Sequence, residues 1–190
     1  GIGWLADGPV GIWEPHSEKI MRATHEGATA FSFLRNDQDQ LQLLTAAGRE
    51  VWLWDPATLE PLNKSEIKTE KELLGISRDG QTILYQDRHG LEIWNPLNGT
   101  LLAGLERLDS NISAFCRESH TGWVALGSEG GELYLWDPKT NKILARITAH
   151  RSAIDELACS SRGRIASRGL DSTKIWDMVK MKKSYSPHQD

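Results

Sequence analysis

Short apolar runs, alternating or continuous, are separated along this chain by clusters of Gly, Pro, Asp and Asn, and the punctuation returns about every 40 residues. Residues 28–33 form a small, β-prone run suited to burial on both faces, and Arg35-Asn36-Asp37-Gln38-Asp39 reads as a turn. A second strand follows over 41–46, then a tight hairpin at Gly48-Arg49 and a third, alternating strand over 51–54. Asp55-Pro56-Ala57-Thr58 closes it, because proline breaks the ladder and aspartate bonds nearby backbone N–H groups. An outer strand starts at Leu59. The next unit repeats the grammar, with strands over 73–76, 82–86 and 91–94 and turns at Ser77-Arg78-Asp79-Gly80, His89-Gly90 and Asn95-Pro96. No segment longer than a turn or two carries a 3.6-residue period, so helix is expected to be minor or absent.

Five segments align on a tryptophan: Trp13, Trp54, Trp94, Trp136 and Trp176, at spacings of 41, 40, 42 and 40 residues. Each follows an apolar strand, and Glu14, Asp55, Asn95, Asp137 and Asp177 come directly after it. This pattern resembles the WD40-repeat family over nearly the whole chain. The resemblance implies an all-β propeller whose repeats each supply one four-stranded blade. The family's blade-stapling network joins a histidine ahead of the innermost strand, a Ser/Thr on the second strand, a hairpin Asp and the Trp. The last unit matches it with His150, Ser167, Asp171 and Trp176, read as a structural network. The unit ending at Trp54 offers His25, Thr45 and Trp54 without an acid, and Gly130 stands where the acid would fall in the Trp136 unit.

Innermost strands begin near Ala28, Leu73, Ile112 and Ile154, which gives four complete four-stranded blades. Residues 1–27 supply part of a fifth, with its innermost strand missing. Blades therefore occupy 1–185 and a C-terminal tail 186–190. A seven-bladed ring needs roughly 290 residues at this repeat length. The chain is expected to be the C-terminal portion of such a ring, completed by the same or another chain; a degenerate five-bladed ring is the alternative.

The formal net charge of −4 argues against broad phosphate-backbone binding, so nucleic acid is an unlikely partner class. No apolar run approaches the roughly 20 residues of a membrane span, and Gly1-Ile2-Gly3-Trp4 carries no positive n-region, so a signal peptide is not expected. Cys116 and Cys159 form no C-x-x-C pair. They are read as equivalent positions near the ends of two innermost strands, filling core sites as free thiols in a reducing, cytoplasmic setting, with the nucleus as the alternative. The sequons at Asn63, Asn98 and Asn111 are read as turn residues. Gly1-Ile2-Gly3-Trp4-Leu5-Ala6 matches a dinucleotide fingerprint, but a strand follows instead of the helix that motif needs. The histidines have no metal-ligand spacing, so neither cofactor nor metal is expected.

Loops at the ends of blades carry function on a rigid scaffold. The face built by loops entering the innermost strands and by the hairpins between second and third strands carries His25, Glu26, Arg49, Arg88 and His89. It also carries Arg107, Asp109, Glu129, Arg151 and Arg168. The resemblance implies a non-catalytic protein–protein interaction scaffold or sensor module, part of a larger multidomain protein, that binds partner peptides or domains there. The alternative is a small-ligand or sugar-binding propeller with a central pocket, in which acids such as Asp155, Glu156 and Glu129 carry hydrolysis. Trp52 is read as facing away from Trp54, between blades or as an exposed anchor, and Trp123 has the same two readings. Residues 180–183 are expected to form a polar outer strand, with Ser186-Pro187 beyond it as a candidate docking or modification site.

Overall fold

The alternating runs form strands and the Gly-, Pro- and Asp-rich clusters turn the chain between them. In a computed structural model, residues 25–106 and 108–185 are described, together with three strands ahead of them. The first sheet joins β1 (Ile2–Trp4), β2 (Val10–Glu14) and β3 (Lys19–Ala23). The second joins β4 (Ala30–Arg35), β5 (Leu41–Ala47), β6 (Glu50–Trp54) and β7 (Pro61–Glu66). The third joins β8 (Glu72–Ile76), β9 (Ile83–Asp87), β10 (Gly90–Asn95) and β11 (Thr100–Glu106). The fourth joins β12 (Ile112–Arg117), β13 (Val124–Ser128), β14 (Glu132–Asp137) and β15 (Lys142–Thr148). The last joins β16 (Ile154–Cys159), β17 (Arg164–Gly169) and β18 (Ser172–Asp177), and the helix α1 (Met178–Ser184) follows directly. The sheets are up-and-down meanders of sequential strands, and the fold is all-β with blades of the propeller type.

The residue after each of the last four repeat tryptophans has one local task. Asp55, Asn95 and Asp137 each accept a bond at Oδ1 from a backbone N–H two residues on, from Ala57 at 2.7 Å, Leu97 at 2.8 Å and Lys139 at 3.0 Å. These Asx turns send the chain into the outer strand. Asp177 accepts instead from Lys180 N at 3.0 Å and becomes the N-cap of α1.

That helix corrects the expectation of an outer strand at 180–183. Met178 and Met181 lie one helical turn apart, and both are buried against Ala145, Leu135 and their neighbours. Lys182 and Lys183 occupy the last turn, where positive charge suits the helix dipole. A strand would have sent successive side chains to opposite faces, whereas the helix puts both methionines into one core. Ser186-Pro187 lies outside the described residues.

The chain divides into two compact units, Gly1–Tyr85 with Trp94–Leu101 and Gln86–Ile93 with Leu102–Asp190. In the first, Leu34, Leu44, Val51, Ile67, Ile83 and Trp94 build the core, and the Tyr85 hydroxyl donates to Gly48 O at 2.8 Å. In the second, the sheets β12–β15 and β16–β18 stack face to face. A Cβ on Gly127 would stand 2.6 Å from Ile154 Cγ2, so only glycine permits this approach. Ser113 Oγ donates to Ile154 O at 2.7 Å across the same seam. Trp123 packs against this core, and Lys182 lies 5.0 Å above its ring.

Cys116 and Cys159 are joined in a disulfide between β12 and β16, which corrects the expectation of two free thiols. The reason lies in the register. Ile112 pairs with Ser128 and Ile154 with Gly169, so these isoleucines hold equivalent positions; Cys116 follows its isoleucine by four residues and Cys159 by five. One residue reverses the face of a strand. Cys116 therefore points towards the last sheet and Cys159 back towards it, with their Cα atoms 5.5 Å apart.

Candidate functional site

In the second sheet, Ala30 pairs with Ala46 and Ala47 with Glu50, so the chain enters β4 and turns at Gly48-Arg49 at the same end. His25 sits beneath this end. Trp54 Nε1 donates to Thr45 Oγ1 at 2.9 Å, and the Thr45 hydroxyl lies 2.7 Å from His25 Nδ1. If the Thr45 hydroxyl donates onward, Nε2 carries the ring proton. That nitrogen is buried and has no partner. The residue is only 5% exposed, and burial lowers its pKa, partly offset by Glu50. His25 therefore belongs to the interior and offers no contact surface, unlike Glu26 and Arg49, which are exposed. Arg49 reaches Thr69 O at 3.1 Å and Glu70 at 3.0 Å.

Trp52 stacks on Trp54, with ring centroids 5.2 Å apart and planes at 16°. This corrects the expectation of opposite faces, because residues two apart on a strand share a face. Lys64 covers Trp52 at 4.9 Å and bonds Glu50 at 2.8 Å, which holds the Glu50 carboxyl below its ordinary range.

The second unit carries the fuller network. Trp176 Nε1 donates to Ser167 Oγ at 2.8 Å, the Ser167 hydroxyl donates to His150 Nε2 at 2.7 Å, and His150 Nδ1 donates to Asp171 at 2.6 Å. Every donor runs in one direction, which fixes the imidazole tautomer. The bond from His150 holds the Asp171 carboxyl below its usual range. Ser152 Oγ accepts from Leu170 N at 3.2 Å and ties the loop entering β16 to the next hairpin. In the sheet before it, Trp136 Nε1 donates instead to Asn141 at 3.2 Å, a partner that sequence alignment had not identified.

Around this frame the loop charges are exposed and mixed in sign. Arg88 Nε donates to His89 Nε2 at 3.1 Å, Asp109 pairs with Arg146, and Glu129 accepts from Asn111 at 3.4 Å. Arg168 lies on β17 and not in a loop as expected, 3.6 Å from Asp155 and 3.3 Å from Glu156 of β16, and Arg151 is exposed beside the His150 network. Arg107 lies outside the described residues. A small cleft lined by Gln86, Asp87, Ser110, Asn111 and Ile112 is spanned by Gln86, whose amide bonds both Ile112 O at 2.8 Å and Ile112 N at 3.1 Å. Its one acid, Asp87, accepts from the N–H groups of His89 and Gly90 and so shapes a hairpin. Among the described residues, no three His, Cys, Asp or Glu side chains converge as metal ligands would.

No protein-family model matches the chain. It is similar to the Protein LST8 homolog of Drosophila melanogaster, 20% identical over 181 residues that make up 91% of this chain and 58% of that protein. It is also similar to apoptotic protease-activating factor 1 of Danio rerio, 21% identical over 114 residues, 60% of this chain and 9% of that protein. Among solved structures, the β-propeller domain of Myceliophteria thermophila Cps50 (Swd1) superposes with a TM-score of 0.67 at 14% identity, over 87% of this chain and 57% of that one. The computationally designed Ika8 protein gives 0.67 at 20% identity, over 93% and 55%. The chain thus spans little more than half the length of the first of these curated relatives.

Proposed function

We propose, from the premise that this chain belongs to the WD40-repeat β-propellers, that it is a non-catalytic interaction module which binds partner peptides or domains through the loop ends of its blades. One observation carries this reading. The exposed, mixed-sign residues Arg88, His89, Glu129 and Arg151 lie in blade-end loops, with Arg168 near the end of β17, and the His150–Ser167–Trp176 network stiffens the last sheet beside Arg151 and Arg168. Arginine forks onto carboxylates and is favoured at binding hot spots, and a rigid base lowers the entropy lost on docking. The similarity to a relative of which it covers 9% supports a place within a larger, multidomain protein.

A photo-crosslinking residue placed at Arg151 or Arg88 tests the site in cells producing the whole protein. The expected result is one defined partner, cross-linked from both positions and lost from each when the other arginine is reversed, Arg88→Glu or Arg151→Glu, while the melting temperature holds. Equal cross-linking from Leu62, an exposed residue within the outer strand β7 and not in a loop, would refute the assignment. A cytoplasmic setting, the one read from the sequence, requires the Cys116–Cys159 bond to be open there, and the bond itself weighs against it. Alkylation of Cys116 and Cys159 in freshly quenched cells tests that setting, since a reducing compartment holds such a pair as thiols.

A further inference from the structure

The connections at one end of the last two sheets hold an excess of positive charge. Trp136 pairs with Val124, Lys142 with Asp137 and Asp177 with Arg164, so the β12–β13 loop, the β14–β15 turn, the β16–β17 turn and the start of α1 lie at corresponding ends. The Cys116–Cys159 bond ties the two sheets beside these connections. Residues 117–123, 137–142, 160–164 and 177–185 hold eight Lys and Arg against three acids, in a chain whose formal net charge is −4. The three acids serve their own turns. Glu118 is buried, and its carboxylate accepts from Thr121 N and Oγ1, each at 2.7 Å, and from His120 N at 3.1 Å. Asp137 accepts from Lys139 N at 3.0 Å and from Thr140 Oγ1 at 2.9 Å, and Asp177 caps α1.

The cations are left to the surface. Lys139, Arg162, Arg164, Lys180 and Lys182 are exposed, while Arg146, Arg168 and Lys174 make their ion pairs elsewhere on these sheets. Packing draws the basic groups together. Lys182 lies 5.0 Å above the Trp123 ring, which brings α1 over the β12–β13 loop, and Met178 N donates to Gly163 O at 2.9 Å, which holds the helix on the β16–β17 turn. Arg117 Nη2 and Lys139 Cε both flank Gly122, 3.5 and 3.9 Å from where its Cβ would stand. Like charges gathered on a rigid base raise the local potential and attract an anion. Neighbouring blades stack through sheet faces and leave these strand ends at the rim, so the patch does not depend on how the ring is completed. Its chemistry favours carboxylates over nucleic acid. Trp123 and Tyr185 pack against the core, so neither is a platform for stacking bases. A long polyanion would also run from this patch onto a chain whose balance is acidic, whereas a short acidic segment stays on it.

We infer that this end of the last two sheets is a second interaction surface, distinct from the loops at the opposite end, and that it binds a short, carboxylate-rich segment of a partner protein. Fluorescence anisotropy of a labelled oligoglutamate peptide, titrated with the 190-residue chain, tests it. Binding that weakens with added salt is expected. Lys139→Glu/Arg162→Glu is expected to reduce the affinity about tenfold with unchanged thermal unfolding, because both side chains are exposed and only their backbone N–H groups bond the turns. Lys68→Glu/Lys71→Glu makes the same change in net charge in the connection between β7 and β8 and is expected to leave the affinity within about twofold. A peptide that does not bind overturns the proposal. So does an equal loss in the two double variants, which would trace binding to net charge alone. Tighter binding of a single-stranded oligonucleotide of the same charge, or of phosphatidylserine vesicles, overturns the choice of a carboxylate-rich segment.

Discussion

Reduction of the Cys116–Cys159 bond is the perturbation whose size the structure fixes best. The bond spans 43 residues of sequence and ties two adjacent sheets. Constraining a loop of that length removes about 13 cal/mol/K of entropy from the unfolded chain, or about 4 kcal/mol at 25 °C. A protein of this size unfolds in urea with a slope of about 2.5 kcal/mol/M, so the midpoint should fall by about 1.5 M on reduction. Urea melts followed by tryptophan fluorescence, with and without a dithiol, measure the shift. The Cys116→Ala/Cys159→Ala variant should melt near the reduced protein and be insensitive to the dithiol. Two observations refute the reasoning. One is alkylation of both cysteines in oxidised, folded protein, which would show the thiols unpaired. The other is coincident melts from samples that mass spectrometry proves bonded and reduced.

Three further outcomes follow from single sites. Ser167→Ala orphans two buried nitrogens, those of His150 and Trp176, and should cost roughly 2–4 kcal/mol in a denaturant melt; the conservative Ser167→Thr should retain most of the stability. Gly127→Ala drives a methyl group into Ile154 and should cost about 1–3 kcal/mol, read as a fall of several degrees in thermal midpoint. Burial pushes the Glu118 carboxyl up, but bonds from Thr121 N and Oγ1 and from His120 outweigh it and hold the group at about 2. Its unfolded value lies near about 4.3, so its stabilisation is complete above that pH and fades as pH falls towards 2. Urea melts across that window should lose part of their pH dependence in Glu118→Gln.

Much of the blade architecture is written locally. The tryptophan spacing, the Asp-Pro and Asn-Pro turns and the tight hairpins each act within a few residues, so sequence alone marks the strands of a sheet and their order. The two stapling networks are legible to the same depth, because each keeps its members within one repeat and sets its Ser/Thr nine residues before the Trp: His150, Ser167, Asp171 and Trp176 form one bonded chain, while His25, with Thr45 and Trp54 but no acid, keeps an orphaned nitrogen.

What stayed hidden depends on parity and on partners from another repeat. Whether Cys159 meets Cys116 turns on a single residue of register, and a strand hides that because its faces alternate while its composition does not. The helix at Met178–Ser184 had a signal in Asp177 and the Met178/Met181 spacing, but seven residues do not hold a helix without the core of the neighbouring sheet. The 72% exposure of Ile175 on the last sheet is invisible in sequence for the same reason. Ala158, Ala166 and Ile175 read like the buried residues one repeat earlier, and only the packing of one sheet on the next decides which residues are covered.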